Sequence, residues 1–557
     1  MMPFTVANRL GSLSCSRRCF LATGLAVPLL TLAPGTVHNA VSSLRENPTT
    51  LVLVTNRAPS DLDPHSAYDL GSGVALQGPY EGLIRLKPGT TGVYEPLLAE
   101  SWSVNEDKSV WTFRLREGVT FHDGTPLDSE VARASFERLL HLGLGPSTVL
   151  GRFVDDPAQI TATDARTLVF DLGQPQPLFE AALASAYGTA IVNVAALRDQ
   201  EVDADWGHGW AVTNSAGLGT GPYRVDAFDV ENGVVLRRYD DYWGGWQRDQ
   251  FDQIVIRVVI EQETRRLLIE NGDADIATTL PLQAIPDLKQ HPELIADHRY
   301  TMAVLNMRMT VAGPLESAQA RQALCWAFPY DEVITGVFEG YAKRAIGPVA
   351  ELSQGFAPET FRYSTDLGRA RSLLQVAGIE EGTTLTLLLL AGNADTAAIA
   401  ELFQANLSQV GMTLAVQVVD AATFVGVAFS DMPTEERPNL FLTLGQPDYN
   451  DGWNQLWPQV SCMAWQDGNL GHYCNAQVEQ LLDQAQSAAE PFAYQQALDE
   501  IQRIVTYDDP AAIHLAQLEW LTVLRHDVAG FAPNLVTSEI IDFYGLRRRG
   551  REPLSGP

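Results

Sequence analysis

Apolar and polar positions alternate strictly at residues 111–116 (WTFRLR), which predicts a half-buried strand. The turn HDGTP at 122–126 follows, and an amphipathic helix over about 128–140 is capped by Asp128 or Ser129. The apolar run LVLV at 51–54, closed by the turn-rich APSDLDP at 58–64, reads as a buried strand entering a loop. From Gly217 the texture changes: GTGPYRV at 219–225 is a glycine turn into a strand, 254–260 (IVIRVVI) is a second strand, and a helix over 264–271 stops at Gly272 before a short strand at 275–277. A third texture, from about 300 to 510, alternates helix, glycine and strand. Helix 366–377 stops at Gly378 and strand 384–390 follows; helix 397–410 stops at Gly411 and strand 413–419 follows. Two later helical patterns, 478–488 and 492–505, precede a strand-like 512–515. This repetition argues for an α/β chain whose mixed or parallel sheet is covered by helices.

The chain has 557 residues, 46% hydrophobic and 19% charged, and so enough apolar material for more than one core. At roughly 150 residues per domain it divides into about three or four units. There is no low-complexity linker and no repeat of 20–50 residues. Thirty-eight basic against 68 acidic residues give a formal net charge of −30, a field that repels phosphate backbones and excludes nucleic acid as a partner.

The N-terminus is the exception to this acidity. Residues 1–40 hold three arginines and no acidic side chain, and Ser16-Arg17-Arg18-Cys19-Phe20-Leu21 leads into a short apolar stretch. This composition is that of a signal peptide and resembles the twin-arginine export signal. An export route through the twin-arginine translocase is therefore expected. Past this leader three cysteines remain; in an oxidising compartment Cys462 and Cys474 are disulfide candidates, and Cys325 reads as a buried thiol. There is no CxxC pair or HExxH run for zinc, no GxSxG elbow and no phosphate-binding glycine loop.

Several short segments occur in a telling order: PLLAESW at 96–102, GVTFHDGTP at 118–126, DYWGG at 241–245, NGDADI at 271–276 and RQAL at 321–324. On these the chain resembles the oligopeptide/dipeptide/nickel-type solute-binding proteins of ABC importers (solute-binding family 5) over about residues 50–547. The resemblance implies a periplasmic-binding-protein-like fold (type II, three-domain cluster C), two-lobed and hinged. After the leader at 1–40, lobe I would comprise 45–84, 217–298 and 513–557. An extra domain II at 85–216 would pack on it, and lobe III would span 299–512, with chain crossings near 299 and 512 as the hinge. It further implies a monomer in the periplasm without cofactor, delivering its ligand to an inner-membrane permease and ATPase. The chain reads AFPY at 327–330 and RYDDYW at 238–243 where the family commonly has AIDR and RNPDYW, differences at positions that cap or pack elements.

The candidate site is TLGQPDYNDGWNQLW at 443–457, at the end of the apolar strand 440–442. In oligopeptide-binding relatives the matching Asp-Tyr-Asn run supplies a carboxylate for the peptide's α-ammonium, a role that falls on Asp448. Gly445 and Gln446 could offer main-chain bonds to an extended ligand, and Tyr449, Trp453 and Trp457 could line the cleft with aromatic faces. The opposing account makes Asp448 a turn cap beside Asn450 and Asp451, and the tryptophans ordinary core. His208 and His472 are further candidates for ligand contact, the latter for a metal complex. An oligosaccharide, a nickel or metal complex, a periplasmic hydrolase and a surface sensor are the rival functions.

Overall fold

The computed structural model describes residues 49–549 apart from 466 and 489. The expected leader, with Arg17 and Arg18, lies outside the described residues. One eleven-stranded mixed sheet organises the rest. Its path runs Thr413–Val419, Thr384–Leu390, Leu440–Gly445, Leu294–Met309, Ala512–Arg525, Ile276–Thr278, Thr50–Thr55, Gln253–Val258, Gly233–Arg238, Tyr223–Asp229, and Ala342–Arg344 pairs with Ala512–Arg525 outside that path.

The wing at each end is built as its sequence pattern predicts. Thr50–Thr55 is buried at every position and lies parallel to Gln253–Val258 over six residue pairs, so both faces are covered and the strand reads as a continuous apolar run. In the other wing, helix Leu367–Val376 is capped by Asp366 and followed by Gly378 at φ +71°, and helix Ala394–Gln409 is capped by Asn393 and followed by Gly411 at φ +86°. The left-handed φ is what places glycine at these two stops. Between these helices and strands lies a core that includes Leu385, Leu387, Ile399, Phe403 and Leu414.

Leu294–Met309 and Ala512–Arg525 join the wings. Leu294–Tyr300 pairs with Arg525–Glu519, and Val304–Arg308 pairs with Gln517–Ala512, with the register interrupted between Tyr300 and Val304. Ile276–Thr278 joins the first half through Leu524–Thr522, and Leu440–Gly445 joins the second half through Val304–Met309. Met302 N–H donates to Leu535 O (3.1 Å) and Gln517 Nε2 to Thr301 O (2.7 Å), so the interrupted segment is pinned. The crossing expected near 512 falls on the first residue of a fourteen-residue strand; the partners of the interruption are Glu519 and Gln517. Those polar residues are why the sequence suggested only a short strand at 512–515.

Residues 99–171 contain a separate four-stranded antiparallel sheet, Ala99–Val104, Val110–Leu115, Thr167–Asp171 and Ile160–Asp164. Helix Ser129–Leu142 packs on it, capped by Asp128 accepting from Val131 N–H and ending at Gly143. Its Arg138 reaches back to Asp63 in a pair that excludes solvent, Nη2–Oδ2 2.6 Å and Nη1–Oδ1 2.9 Å. No helix among the described residues is long and apolar enough to cross a membrane.

Candidate functional site

The strand Leu440–Gly445 pairs along one edge with Met309–Val304 through its whole length. Along its other edge the pairing with Thr384–Leu390 is confined to Leu440 and Phe441. Residues 442–445 beyond that point all line a cavity of about 520 Å³. Consecutive strand residues point to opposite faces, so four in a row can share one cavity only if it lies along the strand's edge. The main chain here is therefore presented sideways to whatever the cavity holds.

Past the strand, Asp448 stands in the same wall. Its N–H donates to Asn454 Oδ1 (2.8 Å), and both carboxylate oxygens accept from the Tyr68 hydroxyl at 2.9 Å. Tyr68 also lines the cavity. Its ring sits edge-on to Tyr187 (5.3 Å) and against Gly145, where a β-carbon would come within 2.8 Å of the ring. Tyr68 is 44% exposed and lines the cavity. Asp448 makes no ion pair among the described residues, and burial pushes its carboxyl above the ordinary range against the Tyr68 bond and the Arg152 charge, which lower it. Turn capping falls instead to Asp451, which caps the helix Gly452–Val460 by accepting from Trp453 N–H (2.7 Å). Burial raises Asp451 to about 7 even though Tyr494 donates to it.

The helix Gly452–Val460 divides its residues by face. Asn454, Gln455, Pro458 and Gln459 line the cavity. Trp453, one helical step away, is 1% exposed, and its indole N–H donates to Leu482 O (3.0 Å). Trp457 packs beside it (6.1 Å between centroids) beneath the Arg152 guanidinium at 4.0 Å. Tyr449 is buried against Phe153. These three aromatics, expected in the cleft, are thus in or against the core: i,i+4 spacing puts 453 and 457 on one face, and that face is the buried one.

Of the residues expected to hold ligand, Asp448, Gly445 and Gln446 come together in the cavity wall. The Gln446 side chain donates across to Ser538 Oγ (3.2 Å). Cys462 and Cys474 are joined, Cα atoms 4.7 Å apart, and close the loop that contributes Asp467, Gly468 and Leu470 to the wall. His208 is held by Asp63 (3.1 Å), and His472 bonds Thr434 (2.8 Å) and stacks on Trp465. Among the described residues no group of three or more His, Cys, Asp or Glu could hold a metal ion.

Sequence reading missed Tyr68, Arg152, Arg308, Phe424 and Phe429, all in the cavity wall. For Arg308 there was a signal. Leu305, Met307 and Met309 alternate with Asn306 and Arg308 in a strand buried on both faces. A polar row on a buried strand lacks solvent and needs partners or a site.

Comparison with known proteins fits this geometry. The profile of bacterial extracellular solute-binding proteins, family 5 (middle), matches residues 93–467. The probable D,D-dipeptide-binding periplasmic protein DdpA of Escherichia coli K12 is 28% identical over 539 residues, covering 94% of this chain and 98% of DdpA. The glutathione-binding protein GsiB of the same strain is 26% identical over 503 residues, covering 89% and 92%. Among solved structures, the periplasmic binding protein DppA of Helicobacter pylori in complex with peptide STSA superposes with a TM-score of 0.80 at 22% identity, covering 91% of this chain and all of that one. The chain belongs to the bacterial extracellular solute-binding proteins of family 5, with their mixed α/β, two-lobed fold.

Proposed function

We propose that this protein is the periplasmic capture subunit of an ABC importer, that it takes short peptides, and that Asp448 receives their α-ammonium. The observation that carries the reading is a half-buried carboxylate in a cavity wall with a neutral hydroxyl as its side-chain partner. A carboxylate removed from water is costly unless a cation joins it, and an ammonium supplies that charge. The open edge at 442–445 supports the rest of the reading, because main-chain pairing with an extended ligand is indifferent to side chains. DdpA and GsiB, named for a dipeptide and for glutathione, support a small peptide-like ligand.

On this reading lobe I comprises the wing around Thr50–Thr55, lobe III the wing around Thr384–Leu390, and the interrupted register at Tyr300–Val304 serves as the hinge. An inner-membrane permease and ATPase receive the closed monomer, and residues 1–40 direct export through the twin-arginine translocase. The function is binding, not catalysis. Of the tryptophans at 453, 457 and 465 that would suit a sugar, Trp453 and Trp457 pack in or against the core, whereas Trp465 is 41% exposed and stacks on His472. Native mass spectrometry of the exported protein tests the reading: a co-purified mass assigned to a peptide with a free amine is expected, and a bound sugar or metal complex in place of any peptide would refute it.

A further inference from the structure

The cavity that holds Asp448 has two chemically different ends. Strands Thr384–Leu390 and Leu440–Gly445 pair only at Leu387 with Leu440 and Leu388 with Phe441, and then part. Beyond the parting, the wall contains Leu442 and Leu444 from one strand and Leu390 from the other. Phe424, Phe429 and Leu470 complete this apolar end. Leu470 shares a small core with Leu388 and Phe441, and Phe424 packs against it, so both stand where the strands separate. The polar end lies at Gly445 and past it. A β-carbon on Gly445 would stand 3.6 Å from Arg308 Nη2, and Gln446 and Asp448 follow in the wall.

The helix Ala421–Ala428, which brings Phe424 and the adjoining Phe429 to the cavity, carries more apolar surface than it buries. Its sequence AATFVGVA has no charged residue, and a helix apolar around its circumference is ordinarily enclosed. Here only Ala428 is buried. Leu390 is 45% and Phe429 41% exposed, both line the cavity, and neither is part of the small core beneath. Packing of the folded chain therefore does not account for them. Uncovered apolar side chains in a ligand cavity gain from an apolar group placed against them and lose nothing polar in exchange.

We propose that this end of the cavity is a subsite for one bulky apolar side chain of the ligand, with Phe429 and Leu390 as its specificity-determining contacts. The strands give its position. Leu390 is two residues past Leu388 and so level with Thr443, two past Phe441. From Gly445 back to Thr443 is about 7 Å at roughly 3.3 Å per residue. An extended ligand with its ammonium at Asp448 and its main chain along 445–443 brings its second or third residue to the subsite. The proposal rests on the peptide reading and adds a side-chain preference, which main-chain pairing alone does not give.

Calorimetry with dialanine and trialanine, and with each carrying one phenylalanine, lysine or glutamate, tests it. At the second or third position phenylalanine should strengthen binding over the alanine parent by about tenfold or more, as expected for burying most of an aromatic side chain. Lysine and glutamate there should give no gain. Phe429→Ser should cut the phenylalanine gain to about threefold or less while the alanine parent binds within about twofold of wild type. Leu390→Ser, which lies on a strand and not on the helix, should reduce the gain in the same way, so a local collapse of the helix cannot imitate the result. Leu390→Asp should make lysine the preferred residue at that position. Both side chains are exposed, so unfolding temperatures should stay near that of wild type.

A phenylalanine gain below twofold at the second and third positions alike would overturn the proposal. So would a gain that survives both serine variants, or serine variants that weaken alanine and phenylalanine peptides equally. If none of the peptides binds, the peptide reading fails and takes this inference with it; alanine peptides that bind with no preference for phenylalanine leave that reading standing and sink the subsite alone.

Discussion

Replacing Asp448 by Asn keeps the side chain's shape and one acceptor for the Tyr68 hydroxyl, and removes the charge. A carboxylate has about four lone-pair positions, and the single Tyr68 proton, shared between both oxygens at 2.9 Å, leaves room for an ammonium. Two unit charges about 4 Å apart attract by roughly 4 kcal/mol at an effective dielectric of about 20. The ammonium's desolvation opposes this. On the protein's side, however, the cost of burying Asp448 is already present in the folded chain, as its raised carboxyl shows. The net loss in Asp448→Asn should fall in the range of about 2–5 kcal/mol for truncating one member of a buried charge pair, a weakening of roughly 30- to several-thousand-fold. Calorimetry with a peptide and its N-acetylated form separates this from a general defect. Wild type should lose affinity on acetylation by the amount it loses on mutation, and the variant should bind both forms equally. Affinity should also fall with pH. The bond needs ionised Asp448, so it is present above that group's raised pKa and lost as pH falls through it, earlier than for an ordinary aspartate. If Asp448→Asn binds the free-amine peptide within threefold of wild type, Asp448 does not hold an ammonium.

Three further outcomes concern the scaffold. Asp63→Asn strands Arg138 without a counter-charge and should cost about 3–5 kcal/mol in urea unfolding; a loss below 1 kcal/mol would show that the pair contributes little. Asp451→Asn keeps a good cap and removes a carboxyl whose folded pKa, about 7, lies above its ordinary value of 3.8. The folded wild type therefore binds the extra proton, its stability falls as pH rises from about 4 to 7, and the variant's advantage in chemical unfolding should grow over that window toward a few kcal/mol; a constant difference would contradict this. Cys462→Ser with Cys474→Ser opens a loop of sequence separation 12, which on loop-entropy grounds should cost about 3 kcal/mol in thermal unfolding, with weaker ligand binding because that loop supplies cavity wall; unchanged stability and affinity would count against both roles.

The sequence made the wings legible because each helix there carries its own stop and each strand its own period. Strands Thr384–Leu390 and Thr413–Val419 lie where the pattern placed them, and Gly378 and Gly411 end the helices that precede them. The long joining strand Leu294–Met309 was not legible. Its first half is amphiphilic and partly exposed, its second half is buried on both faces, and no single period spans the two. At the site, Asp448 was reached through resemblance, whereas Tyr68 lies 380 residues away in sequence and nothing local marks it as a partner. The tryptophans were misleading for a physical reason. Aromatic surface near a ligand strand suits a cleft wall and a core equally, and only the helix face, which carries Asn454 and Gln459 toward the cavity, separates the two uses.

Two pairs of opposite charges in this chain are built from the same residue types and have opposite fates. Asp63 and Arg138 meet in two bonds with solvent excluded, and against its burial the His208 bond and the arginine together hold the aspartate well below the ordinary carboxylate range. That pair tethers the helix of the four-stranded sheet to the segment after the first strand. Asp448 and Arg308 line one cavity, remain apart, and are each driven toward neutrality by burial. Had the second pair been placed to meet, the cavity wall would gain stability and lose the unpaired carboxylate proposed for the ammonium. Held apart, each charge leaves the folded chain less stable than a paired one would. On the proposed reading the unpaired carboxylate of Asp448 is affinity held in the scaffold for a ligand's ammonium, and it stays available because Arg308 is bonded to Gln459 and forms no ion pair with it.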